Sequence, residues 1–366
     1  MPVKRRPDIW IIALTGTLLL IGIVMIYSSS AVMAAEKYGD PYFFLKRQIV
    51  WAFIGIAGMF TMTTIDYRIL KRYAYIIYAV IIAVLIAAVL PGIGHEVNGA
   101  QRWIKIGFFT FQPAEFAKIG LIVFFAAILS KKEAEGKITD PMFGYLPCLL
   151  ALAIVVLLIQ SQPDLGSAVI IAIVSFFMFM IAGVRKTHLV ATALFVMPFL
   201  IVAVYSVDYR RRRIVSFLNP WDDASDSGYQ IIQSFVALAG GGVFGTGLGA
   251  SQQKLFFLPE PHTDFIFSII GEELGFVGAL IVIILFSALT WRGFRVGLKA
   301  PDNFGALLAF GVSFAIGFQA LINIAVVLGA APTKGLPLPF ISLGGSALTM
   351  WLISIGLLLN VSEHTK

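Results

Sequence analysis

Runs of roughly 20 apolar residues recur along the chain, each closed by a short stretch of polar, glycine or proline positions. At 1.5 Å of rise per residue, such a run is about as long as the hydrocarbon layer of a bilayer is thick. Windows of that length predict ten helices, near 10–30, 47–64, 72–91, 113–130, 145–161, 166–183, 188–207, 265–290, 304–330 and 342–360. Hydropathy alone would merge the fifth and sixth. Pro163 and Gly166, in the segment SQPDLG, separate them. The expected fold is all-α: one polytopic membrane bundle over residues 1–366, with no internal repeat. Two longer outside connections, about 92–112 and 208–264, should form a polar cavity.

Composition strengthens this picture. Hydrophobic residues make up 59% of the 366 and charged residues only 13%, against about 25% charged in soluble domains. The first apolar run, from Ile9 to about Ala35, is too long for the core of a cleaved leader and reads as the first span. A single cysteine, Cys148, excludes an intrachain disulfide and argues against a cysteine metal site. The net charge of +7 comes from basic residues set between apolar runs, which suits anionic membrane lipid rather than nucleic acid. Lys4, Arg5 and Arg6 precede the first span and predict a cytoplasmic start, and ten spans return the C-terminus to the same side. The basic majority on that side is modest, because Arg210, Arg211, Arg212 and Arg213 fall in an outside connection. His95, His188, His262 and His364 show no metal-ligand spacing, and neither a nucleophile elbow nor an HExxH motif is present.

Function should then lie in the outside connections and in polar groups among the helices. Pro113 suits the first turn of the fourth span, which puts Glu115 and Lys118 three residues apart on one buried face. They form either a packing ion pair or the wall of a polar cavity. Asp164, in a second Gln-Pro segment, is either a turn cap or part of a shared site. The arginine run is either an anchor in lipid headgroups or a phosphate clamp, since Arg forks match phosphate oxygens. Six glycines between Gly240 and Gly249 lack the context of a nucleotide loop and predict flexible or closely packed backbone, with a re-entrant segment in view. The segment LFFLPEPHTDFIFSIIGEELG, 255–275, holds five ionisable groups in an apolar setting. Thr263 or Asp264 would cap the eighth span, but capping gives Glu260 and His262 no task. Glu272 and Glu273 follow roughly 12–13 Å deeper and should face a cavity.

Five segments in order resemble the SEDS family, the proteins of shape, elongation, division and sporulation. They are RWIKIGFFTFQPAEFAK (102–118), QPDLGSA (162–168), NPWDD with GYQIIQS (219–234), KLFFLPEPHTDFIFSIIGEELG (254–275) and PTKGLPLPFISLGGS (332–346). The likeness spans nearly the whole chain and is closest to the FtsW and SpoVE branch, looser to RodA. Pro261 and Leu343 depart from the usual residues at their positions. The resemblance implies a peptidoglycan glycosyltransferase that polymerises lipid II on the outer face of the cytoplasmic membrane. A class B penicillin-binding protein, and other division or sporulation proteins, would be its partners. It also implies Asp264 as the catalytic carboxylate, with Arg102, Trp103, Glu115, Lys118 and Asp164 at matching motif positions.

In that reading Asp264 takes the proton of an acceptor sugar hydroxyl, and an undecaprenyl pyrophosphate leaves with inversion. The departing charge needs cations: Arg210, Arg213, Arg102, Lys254, Lys334, or a divalent ion such as magnesium or manganese. Glu260 and His262 would complete the headgroup site. A helix N-terminus should lower the Asp264 pKa, and burial beside Glu260 should raise it. A lipid II flippase and a non-catalytic scaffold for a penicillin-binding protein are the alternatives. Division and spore-cortex synthesis both stay open.

Overall fold

The computed structural model describes residues 6–97, 100–107, 109–224 and 228–365. Lys4 and Arg5, two of the basic residues that precede the first span, lie outside them. All ten expected helices are present: α1 (Ile9–Tyr38), α2 (Phe43–Thr64), α3 (Arg68–Val89), α4 (Pro113–Ala134), α5 (Leu146–Gln160), α6 (Leu165–Ile181), α7 (Lys186–Tyr205), α10 (Ile266–Leu298), α11 (Asn303–Val327) and α12 (Gly345–Glu363). Among the described residues nine helices are long and apolar enough to cross a membrane, α5 being counted with the helical turn Pro141–Tyr145 that leads into it, and α6 is a shorter apolar helix of 17 residues.

Local chemistry sets several boundaries. Asp8, Asp164 and Asp302 each accept a backbone N–H at the start of α1, α6 and α11. Gly39 closes α1 in the left-handed region, where a side chain would be strained. Pro113 occupies the first turn of α4, where its missing N–H costs nothing.

Helix α4 is the axis of the bundle. Its span is almost wholly buried, and α3, α6, α11 and α12 pack around it. Helices α2, α3 and α7 keep apolar surface exposed, as a lipid-facing shell requires. The two ends of the bundle can be told apart by their contacts. At one end Asp8 N–H donates to Ser362 Oγ (3.1 Å), and Tyr67 Oη and Arg68 Nε donate to Asp302 (2.6 and 3.1 Å). Both described chain ends therefore meet there. Asp164, the start of α10 and the 331–344 connection lie at the opposite end.

The two longer connections hold structure that hydropathy did not predict. Described residues between 94 and 111 form a small antiparallel sheet of β1 (Gly94–Val97), β2 (Ala100–Ile106) and β3 (Phe109–Phe111), carried on the all-α bundle. Residues 208–264 contain α8 (Asp208–Leu218) and α9 (Tyr229–Gly241). The backbone of α10 breaks at Gly275 (φ 69°, ψ −169°). The glycine-rich segment after α9 docks against this break. Thr246 and Gly247 N–H donate to the carbonyls of Glu272 and Glu273 (2.9 and 3.0 Å), and Phe276 and Val277 N–H donate to those of Gly242 and Val243 (2.9 and 3.1 Å). A Cβ at Gly275 would lie 2.3 Å from the Gly245 nitrogen, which is why this contact needs glycine. The segment is thus closely packed backbone rather than a flexible loop.

Candidate functional site

Asp264 sits in the turn before α10, half-buried. It is not a helix cap: the N-cap position of α10 is Phe265, with no side-chain cap bond. The Asp264 carboxylate instead accepts from Thr263 Oγ1 at 2.8 Å. Its other oxygen faces the backbone of Gly335, 3.9 Å from where a Cβ would stand. Dense protein surroundings push the carboxyl above the usual aspartate range. The nearby Glu260 charge adds to that shift, while the Thr263 bond and the Arg213 guanidinium oppose it. The balance between helix end and burial falls on the side of burial.

The position of Asp264 is fixed through its backbone. Asn323 of α11 donates one amide hydrogen to the Asp264 carbonyl (2.7 Å) and another to that of Leu336 (2.8 Å). One turn earlier Gln319 donates to the carbonyl of Pro337 (2.8 Å) and accepts from Lys118 Nζ (2.6 Å). Lys118 also donates to both oxygens of Glu115 (3.0 Å each) and lies over the Trp351 ring. Glu115 and Lys118 are therefore a buried packing pair that anchors α11, and α11 in turn holds Asp264 and the 331–340 connection. Gln319 and Asn323 were missed from the sequence. Their signal was two amide side chains at i, i+4 in an otherwise apolar span.

Asp164 caps α6, accepting from Ser167 N–H and Oγ (3.0 and 2.8 Å), and also accepts from Gln112 Nε2 (3.2 Å). It ties the start of α6 to the start of α4. Arg102 and Trp103 lie on β2, where Trp103 pairs with His95, and no described contact joins either residue to Asp264. The Nε of Arg102 is buried without an acceptor.

The four arginines do not act as one clamp. Successive helical residues point about 100° apart, so α8 sends them in different directions. Arg210 donates to the carbonyl of Ala203 (2.8 Å), and Arg211 pairs with Asp208 (3.0 Å). Arg213 lies over Tyr209, donates to the carbonyl of Thr333 (3.1 Å), and is close enough to act on Asp264. Neighbouring Lys334 is half-buried, with no ion-pair partner among the described residues, and burial lowers its pKa.

Three expectations are corrected here. Lys254 is not a free cation for a pyrophosphate. Its ammonium is buried against Glu273 (2.7 Å) beside Ser28, whose hydroxyl also donates to Glu273. Glu272 and Glu273 do not line an open cavity, because the returning 246–254 segment supplies their donors. The Ser251 hydroxyl and Gln252 N–H (2.9 Å) reach Glu272, and Ser251 N–H (3.4 Å) reaches Glu273. His262 is no headgroup ligand. Its ring is buried against Phe44 (4.5 Å), and desolvation drops its pKa to about 4, so it is neutral at pH 7. Glu260 is exposed beside Asp264 in the same turn, where its carbonyl accepts from Thr263. Among the described residues no three His, Cys, Asp or Glu side chains gather to hold a metal ion.

One end of the bundle thus presents a half-buried carboxylate of raised pKa, one guanidinium facing it and a free ammonium on the adjoining connection. Residues 9–366 match the family described as cell cycle protein, that of FtsW, RodA and SpoVE. The probable peptidoglycan glycosyltransferase FtsW of Geobacter sulfurreducens is 45% identical over 362 residues, covering 99% of this chain and 96% of that one. Stage V sporulation protein E of Bacillus subtilis is 43% identical over 363 residues, covering 99% of each. A chain solved in a peptidoglycan synthase complex that coordinates polymerization and crosslinking superposes with a TM-score of 0.79 at 32% identity, over 97% of both chains. Thermus thermophilus RodA superposes with a TM-score of 0.72 at 29% identity, over 97% of this chain and 96% of that one.

Proposed function

The chain belongs to the FtsW, RodA and SpoVE family of cell cycle proteins and is a peptidoglycan glycosyltransferase, and from that premise we propose that it polymerises lipid II with Asp264 as general base. The observation that carries this reading is that the Asp264 carboxylate is not committed to capping α10 and is held at raised pKa between Gly335, Arg213 and Glu260. A sugar hydroxyl is a poor nucleophile near neutral pH. A carboxylate of ordinary low pKa is a weak base, and burial makes this one stronger.

In the step, the acceptor oxygen attacks the anomeric carbon of the lipid-linked donor, and its proton passes to Asp264. The bond from that carbon to the pyrophosphate breaks on the opposite face, so an α-linked donor gives a β link. Both electrons leave with undecaprenyl pyrophosphate. Arg213 and Lys334 are the cations best placed for the departing charge, because they stand on the elements that face Asp264. Arg102, with its unsatisfied Nε, offers a further donor from the sheet. Both lipid tails stay in the bilayer while the sugars meet at its surface, which removes much of the entropy cost of bringing them together.

The basic residues between spans favour placing the two chain ends in the cytoplasm and Asp264 outside. A class B penicillin-binding protein is the expected partner, by analogy with the complex of polymerization and crosslinking. The transport alternative drew on Glu115, Lys118, Glu272 and Glu273. Each of these is satisfied within the protein, and none opens a polar path between the two ends.

The test is polymerisation of pure lipid II in proteoliposomes with the partner present. Asp264→Asn should lower the rate by about 10²–10⁴ while partner binding is unchanged. Unaltered glycan synthesis would remove Asp264 from the mechanism.

A further inference from the structure

We infer that the end of the bundle opposite Asp264 carries a second binding site, for a phosphate-bearing anion presented as the headgroup of an anionic phospholipid. A cavity of about 350 Å3 opens there, with Arg6, Trp10, Arg292, Arg295 and Lys299 in its wall around Asp8. Its size falls in the range of small-ligand sites, about 300–1,000 Å3. It stands apart from the glycosyltransferase chemistry, since α10 runs from Asp264 at one end to this cavity at the other.

The site is built by three helices. Asp8 binds them together: its N–H donates to Ser362 of α12, one carboxylate oxygen accepts from Trp10 N–H of α1 (3.0 Å), and the other accepts from Arg292 Nε of α10 (2.7 Å). Both oxygens of this carboxylate are thereby engaged, and Arg292 is its ion-pair partner. Among the described residues Arg6, Arg295 and Lys299 have no carboxylate at ion-pair distance. Arg295 is instead held over the Trp291 ring at 4.7 Å. A positive-inside bias accounts for basic residues at this end but not for their convergence on one concavity. Uncompensated guanidinium groups around a cavity match the oxygens of a phosphate, which Arg binds through paired N–H donors.

The wall also identifies the carrier of that phosphate. Ile9 and Trp10 line the cavity and are largely exposed, at 67% and 61%. An apolar side chain and an indole at the membrane-water boundary fit an acyl chain descending from the headgroup. Basic pockets between transmembrane helices bind lipid headgroups in this manner.

The test places the full-length protein in nanodiscs of equal phosphatidylglycerol and phosphatidylcholine and identifies co-isolated lipid by native mass spectrometry. The wild type should retain phosphatidylglycerol in excess. Arg295→Gln with Lys299→Gln should reduce that excess about tenfold or more. Arg6→Gln alone should reduce it severalfold, and serves if the double variant does not fold. Lys186→Gln removes an exposed charge at the same end but outside the cavity, and should leave the excess unchanged. In a second arm, wild type in phosphatidylcholine alone is titrated with glycerol phosphate and inorganic phosphate. Saturable binding that the Arg6 or double variant loses would assign the same site to a soluble phosphate. The inference is overturned if the wild type shows neither lipid excess nor phosphate binding, or if Lys186→Gln costs as much as the cavity variants. Loss of polymerisation in Asp264→Asn does not bear on any of these readouts.

Discussion

An aspartate at the start of a helix ordinarily accepts the first free N–H groups and titrates below the usual range. Asp164 and Asp302 accept such N–H groups as caps in this protein, whereas Asp264 does not. Its raised pKa has a kinetic consequence whose sign can be worked out. The base acts when ionised, so the rate of the chemical step climbs as pH rises through the folded-state pKa. That acid limb should lie above the ordinary aspartate range. Glu260 raises the pKa, so Glu260→Gln should move the limb to lower pH. Arg213 lowers it, so Arg213→Gln should move the limb upward. Profiles of kcat/KM against pH at constant ionic strength check both, and a limb unmoved by either change would contradict the arrangement. The same raised pKa means that ionising Asp264 weakens the fold, so Asp264→Asn should unfold at a higher temperature while inactive. At this scale the sequence showed which residues are out of place in an apolar setting but not where they reach. Glu115 and Lys118 were readable because they are three residues apart. The pairing of Lys254 with Glu273 was hidden, because it depends on a chain reversal between them.

Among the elements, the join between the glycine-rich segment and the break in α10 decides where the site stands. Two backbones approach there without side chains between them and exchange hydrogen bonds that α10 itself gives up at Gly275. Gly275→Ala would place a methyl group 2.3 Å from the Gly245 nitrogen at a positive φ. The expected result is a loss of several kcal/mol, seen as a lower unfolding temperature with lost polymerisation. Gly240→Ala is the contrast. A Cβ at that position meets nothing within 4 Å, so it should fold normally and gain up to about 1 kcal/mol within α9. Ten helices could be read from the chain because each is a long apolar run. The sheet and α8 could not, because their residues are mixed in polarity, and α9, though apolar, has only 13 residues and is too short for a window of about 20. Proline and glycine between the fifth and sixth runs were a true boundary. The six-glycine segment was ambiguous, since the same composition serves a loose loop and a tight backbone contact.

At the scale of the molecule, the two ends of the bundle do different work: one presents Asp264 and the other gathers the chain ends and the basic cavity. The orientation proposed from the basic residues can be tested with the protein's own chemistry. Its only cysteine, Cys148, is buried, so a Cys148→Ala background gives a clean labelling ground. Glu260→Cys should react with a membrane-impermeant maleimide on intact cells, and Lys186→Cys only after the membrane is opened; both positions are exposed. The reverse pattern would invert the protein and move Asp264 away from the face where peptidoglycan is laid down. The overall bundle was legible from hydropathy, which counts residues. The location of the cavity was not, since a concavity between three chain-distant helices leaves no mark in any one window.

The ion pairs Glu115–Lys118 and Lys254–Glu273 have one more implication, which concerns energy supply. Each pair is net neutral and fixed in place, so neither can serve as a gating charge, and a voltage across the bilayer does no useful work by shifting them. Glycan extension should then proceed in a de-energised vesicle, driven by cleavage of the bond between the sugar's anomeric carbon and its pyrophosphate rather than by a proton or sodium gradient.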